Sequence, residues 1–341
     1  MPTTYAIPDG RVAMAATLYT GTGASLAVAN TVNGVNFQPD FVWVKGRSGA
    51  TDHALYDSVR GTTKDLVSNA TSAETTQATG LTAFGSTGFT VGALAKMNTS
   101  AATYVGWQWK GGGTAVSNAA GSITSSVSAN TTAGFSVVQF TATGATATVG
   151  HGLGVAPQMI IVKDAASAGN WAVWNTGLTS TAYFLFMNTT AAQSNASAIW
   201  TGTPSSTTFG IGSWHTADRQ IAYCFAPVAG YSAFGSYTGN GSADGPFVYL
   251  GFRPRYVMRK KTSNVARWIV EDSAREPSNV ANTALYPNFS TAEEVSTVNW
   301  GIDFLSNGFK IRSTDTDSNE SGGTYIYMAF AENPFKYANA R

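Results

Sequence analysis

The chain writes one strand three times. Residues 38–45 read QPDFVWVK, 156–163 read APQMIIVK and 253–260 read RPRYVMRK. In each copy a proline comes first, an apolar stripe follows, and a lysine stands six places after the proline. With Pro39, Pro157 and Pro254 as anchors, Asp57, Asn175 and Asp272 follow eighteen residues later with no gap. A glycine-bearing turn precedes each proline: YTGTG from Tyr19, FTATG from Phe140, YTGNG from Tyr237. Downstream come GFTVG, FGIG and GFKIR, and each copy closes on an aromatic run, YVGWQWK, IAYCFAP or YIYMAFAENPF. Self-similarity at this spacing constrains the fold more than any single motif, because every copy must build the same supersecondary unit. The pattern reads as a threefold duplication with modules at 1–115, 135–229 and 230–341, the second the most diverged.

The copies are unequally spaced. Residues 111–134, GGGTAVSNAAGSITSSVSANTTAG, are small and polar, which reads as a linker or an extended excursion. The second and third copies run straight on. Modules two and three are therefore expected to dock tightly, with module one partly independent.

Every strong segment reads as a strand. FVWVK, MIIVK, YFLFM, IAYCF, FVYLGF and YIYMAF are short, rich in β-branched and aromatic residues, and bounded by Gly, Asn, Thr or Pro. Several are apolar on both faces, as in strands covered on both sides. The one helical candidate is 62–73. The fold class is all-β: three homologous antiparallel β-sandwich-like modules in tandem. Separate sandwiches and one core shared around a pseudo-threefold axis both satisfy the pattern.

Composition narrows the function classes. Charged residues are 11% of the chain, well under the usual share, and Gly, Ser, Thr, Asn and Ala take their place. A net charge of +1 gives no field to draw in nucleic acid or a membrane surface. A single cysteine, Cys224, excludes an internal disulfide framework. The N-terminal stretch lacks the charged and apolar regions of a signal peptide, and no apolar run is long enough to span a bilayer. The expectation is a protein made in the cytoplasm, without membrane insertion.

Catalytic groups are sparse. His53, His151 and His215 fall in no metal-ligating spacing, and Cys224 sits inside an apolar strand with no basic neighbour to activate it. No nucleophile elbow or phosphate loop occurs. No cofactor is expected. Asp57 and Asp272 recur at a repeat position, with Asn175 in the middle copy. This argues for a structural acceptor that caps a turn or pairs with Arg60 and Arg275. Asp315, Asp317 and Asn319 alternate like the start of a calcium loop, but the glycine and glutamate of an EF-hand are missing. A solvated hairpin is preferred there over a looser calcium site. Trp171, Trp200, Trp214, Trp268 and Trp300 lie near polar loop sequence and are the candidates for stacking on a glycan, against the plainer reading of core or module-interface residues.

Four runs carry a family resemblance. IAYCFAPVAGYSAFGSYTGNGSADGPFVYLGFRPRYVMRK, FLSNGFKIRSTDTDSNESGGTYIYMAFAENPF, and LYDSVRGTTKDLVSNATSAETT with TYVGWQWKGGG resemble a domain of unknown function that recurs in bacteriophage structural proteins. The resemblance covers about residues 16–110 and 135–336. It implies a tailed-phage virion component and not an enzyme, with other virion proteins as partners. Three roles fit: a tail fibre or appendage touching host-surface glycan, a capsid decoration or head-fibre protein, and, last, a glycan depolymerase. Phage fibres are commonly trimers, so it also implies a homotrimer, set against a single chain imitating one.

Overall fold

The computed structural model describes residues 5–296 and 299–334. It is almost entirely antiparallel β-structure, with one-turn helices at Ala95–Asn98 and Thr316–Asn319. Three sheets carry the repeat. In the first, the opening strand Met14–Thr20 pairs with the closing strand Thr103–Trp109. The closing strand pairs with the lysine strand Phe41–Gly46, which pairs with the aspartate strand Ala54–Asp57. The second contains the same order in Phe135–Thr141, Arg219–Phe225, Met159–Asp164 and Ala172–Asn175. The third runs Ser232–Thr238, Thr324–Pro334, Phe252–Lys261 and Trp268–Asp272. Each closing strand comes last in its copy yet lies inside its sheet.

A smaller sheet lies beside each of these. Leu26–Ala29, Gly88–Val91 and Leu81–Gly85 form the first; Ala147–Gly150 pairs with Thr208–Ile211; Phe247–Tyr249, Gly308–Ile311 and Ile302–Leu305 form the third. The turn glycines Gly23, Gly144 and Gly241 take matching left-handed φ of 72°, 71° and 71°, a conformation that costs glycine nothing. Gly106 is fixed by packing: a Cβ there would lie 2.9 Å from the Phe89 ring.

The lysine strands explain why both faces are apolar. In the first copy, alternate residues Phe41 and Trp43 join a core common to all three sheets. Val42 and Val44 face the other way, into a local cluster with Tyr56, Phe89 and Tyr104. At the centre of the common core, Trp109, Phe225 and Phe330 occupy one register position, opposite Phe41, Met159 and Tyr256. Their ring centroids form a near-equilateral triangle of 6.2, 5.7 and 5.8 Å.

Three expectations are corrected. Residues 111–134 are not a free linker. They contain the strands Val116–Asn118 and Ser125–Asn130, which extend the second sheet beyond Phe135–Thr141. Nor does the first copy stand apart: Phe41 stacks on Tyr223 of the second at 4.2 Å, and Trp107 and Trp109 pack on Tyr256 of the third. Residues 62–73 form no helix, only the short strand Lys64–Asp65.

Candidate functional site

The repeat positions are joints between copies. Asp57 accepts bonds from the Arg60 backbone N–H and, at 2.5 Å, from its Nε; the Tyr223 hydroxyl, from the second copy, donates to it at 2.9 Å. Asp272 accepts from Arg275 in the same way and from Trp107 Nε1 of the first copy at 3.0 Å. Burial works to raise the Asp272 pKa, but the Arg275 guanidinium and these donors outweigh it and hold the carboxyl low. Asn175 accepts from Gly177 N–H and points its Nδ2 at the Tyr327 carbonyl of the third copy, 3.5 Å away. The three side chains thus reach from first to second, second to third and third to first copy. The residue four places earlier reaches the other way: His53 Nε2 to the Tyr286 carbonyl, Trp171 Nε1 to Val67, Trp268 Nε1 to Phe186. Pro39, Pro157 and Pro254 are buried at the start of each lysine strand. Lys45, Lys163 and Lys260 are buried donors to backbone carbonyls, and burial pushes their pKa values down to about 8, 8 and 7.

His53 gives this frame an acid limit. Trp43 Nε1 donates to its Nδ1 at 2.8 Å, so the ring is neutral with its proton on Nε2, and burial, aided by Lys45, pushes its pKa down to about 3. Between about pH 3 and 6.5 the unfolded chain takes up a proton that the folded chain refuses, so folding weakens as pH falls. From this residue alone, urea titrations should lose about 2 kcal/mol of unfolding free energy between pH 7 and pH 5. A His53→Gln variant should lose that part of the slope; an unchanged slope would mean the ring titrates normally.

Most of the sequence candidates for binding are spent on structure. Trp171, Trp200, Trp268 and Trp300 are at most 3% exposed and cannot offer a platform to a glycan. The segment 315–319 is not a solvated hairpin: Asp315 caps the one-turn helix, Asp317 pairs with Arg267 at 2.8 Å, and buried Asn319 donates to Asn240, Ser242 and Ser313. Among the described residues no group of three acidic, His or Cys side chains could hold a metal. Cys224 is buried, and burial pushes its thiol pKa up.

Trp214 differs. It is half-buried and lines a cleft of about 250 Å³ with Asp164, Ala168, Gly169, Asn170, His215, Thr216 and Gln220. The other two copies show why the cleft exists here. There, Tyr104 stacks on Tyr19 at 5.1 Å and Tyr325 on Tyr237 at 4.8 Å. Their hydroxyls hold the one-turn helices, Tyr104 through Ala95 O and Thr99 N, Tyr325 through Thr316 O and Glu320 N. In the second copy the matching register position, opposite Phe140, is Gln220. The shorter side chain cannot hold such a helix, and a loop carrying Trp214 and His215 replaces it.

The cleft's polar groups are well placed. Asp164 pairs across the strands with Gln220 and accepts from Ala166 N, Ser167 N and the Thr216 hydroxyl. Burial would raise its pKa, but these bonds keep it lowered and the carboxylate charged. His215 donates Nε2–H to the Ile199 carbonyl at 3.2 Å, and burial pushes its pKa down to about 4. Its Nδ1 is therefore an acceptor, buried and without a partner. Gln220 leans toward both Asp164 and His215, yet its Nε2 closes no hydrogen bond. Trp214 was among the sequence candidates; Asp164, Asn170 and Gln220 were not. Aligning the three closing strands would have exposed Gln220 as the odd member.

No curated protein matches the chain. A family model described as a domain of unknown function, DUF7483, matches residues 12–334 in one span that includes the segment once expected to be a linker. With frame and cleft both inside that span, the chain belongs to the DUF7483 family.

Proposed function

We propose that this chain is a non-enzymatic structural component of a tailed-phage virion, a tail fibre or appendage that contacts host-surface glycan. In this reading three homologous β-sandwich-like modules close around a pseudo-threefold axis through Trp109, Phe225 and Phe330. The matched strand orders, the matched turn glycines and the head-to-tail joints support it. The observation that carries the glycan contact is the cleft under Trp214, where one copy gives up its packing tyrosine and opens a polar pocket beside an aromatic ring. The three histidines and Cys224 are all buried.

The test is retention of the purified chain on envelope polysaccharide from the host. The reading predicts retention that free polysaccharide competes away; no retention on any host glycan would remove it. The oligomeric state follows from the same geometry. A core that already joins three sheets has no need of two more chains, so light scattering should give a monomer near 35.6 kDa. Three times that mass would favour the homotrimer. The alternative, a capsid decoration or head-fibre protein, draws on the edge strand Phe247–Tyr249. There Phe247 is 45% and Tyr249 68% exposed, an open edge suited to another virion protein.

A further inference from the structure

Resting on the glycan-contact reading, we infer that the second-copy cleft takes a single uncharged sugar ring, of the neutral hexose class, and turns away hexuronic acids. The unpaired groups set the chemistry. His215 Nδ1 can only accept and Gln220 Nε2 can only donate, and both lie buried in residues that line the cleft. A hydroxyl both donates and accepts, so one hydroxyl entering between them satisfies both. A carboxylate or phosphate oxygen has no proton to give to His215, and an ammonium group has no lone pair to take one from Gln220.

Charge points the same way. Asp164 stands charged in the lining, and Asp218 lies behind it, bonded to Ser167 at 2.6 Å. Lys163, next to Asp164 in the chain, spends its Nζ on the Asp164 and Ser167 carbonyls, and the lining itself contains no Lys or Arg. An anionic sugar would meet a fixed negative charge with no cation in the lining to offset it. Trp214 supplies the apolar wall against which the C–H face of a sugar ring can lie, and the volume suits one ring and not a chain. The first and third copies, whose tyrosines fill the equivalent space, offer no such place.

The experiment is saturation-transfer NMR on the full chain with methyl glucoside, methyl galactoside, methyl mannoside and glucuronic acid. At least one neutral glycoside should bind and glucuronic acid should not. Gln220→Tyr installs the side chain of the other copies and should weaken that binding by more than about tenfold, with unchanged circular dichroism. If that variant misfolds, Trp214→Ala serves in its place and should weaken binding likewise. Asp164→Asn keeps the shape, removes the charge and should admit glucuronic acid. Binding of glucuronic acid by the unaltered chain, binding that survives both cleft variants, or no binding of any hexoside would overturn the assignment, the last leaving only a bound water between His215 and Gln220. The two readings fail separately. Host polysaccharide retained equally by the chain and its Gln220→Tyr variant removes the cleft but keeps glycan contact; polysaccharide not retained at all removes glycan contact itself.

Discussion

Trp109→Ala should lower the unfolding free energy by about 3–5 kcal/mol, the range for deleting a fully buried large aromatic. Its ring is 1% exposed and touches every copy: Phe41 at 5.3 Å, Tyr256 at 5.5 Å, Phe330 at 5.7 Å and Phe225 at 6.2 Å. Three sheets meet there, so none can collapse into the hole without dragging the other two. The contrast with Trp109→Phe sharpens the test. The indole Nε1 has no hydrogen-bond partner, and the equivalent positions are already Phe225 and Phe330. That substitution should cost about 1 kcal/mol. Urea denaturation of both variants decides it. A loss under about 1 kcal/mol for Trp109→Ala would mean that the sheets do not depend on one another.

The second large effect is at the joint between the third and first copies. Arg275 and Asp272 are wholly buried and paired at 2.6 Å. Arg275→Leu leaves the Asp272 carboxylate with only Trp107 and backbone N–H groups, and should cost about 3–5 kcal/mol. The second copy already contains the neutral version of this joint, Asn175 with Leu178 three places on. The double variant Asp272→Asn with Arg275→Leu writes that version into the third copy. Asparagine has one acceptor oxygen where Asp272 uses two, so either Trp107 Nε1 or the backbone N–H groups lose their partner, but Glu293 keeps Arg47 at 2.9 Å and no bare charge remains. The double variant should therefore be more stable than Arg275→Leu alone, with a coupling of about 2 kcal/mol in a double-mutant cycle. Additive losses would show that the joints are not interchangeable between copies.

These two tests mark what could be read in the sequence. The all-β class was legible because strands buried on both faces spell runs such as FVWVK and MIIVK, which no surface helix would tolerate. The partners of Asp57, Asn175 and Asp272 were not, since Tyr223, Tyr327 and Trp107 lie in other copies and only the closed arrangement brings them near. Residues 111–134 misled because small polar residues mark linkers by composition. Here they suit a crowded sheet edge, where a Cβ on Gly112 or Gly121 would lie 2.3 Å from a neighbouring carbonyl oxygen. Trp171 and Trp268 follow the plainer of the two sequence readings, that of buried core or module-interface residues. Each stands four residues before the repeat Asn or Asp, at the place of His53, and the structure makes all three positions joints. The cleft was hidden for a different reason: it is made by a residue too short for its place, and only a comparison of Gln220 with Tyr104 and Tyr325 reveals it.

The central proposal is that this chain is a tail appendage that meets the host. The most direct measurement is immunogold electron microscopy of intact virions with an antibody raised against the purified chain. The account predicts gold at the tail tip or along its fibres. Gold over the head, or none on the particle, would contradict it.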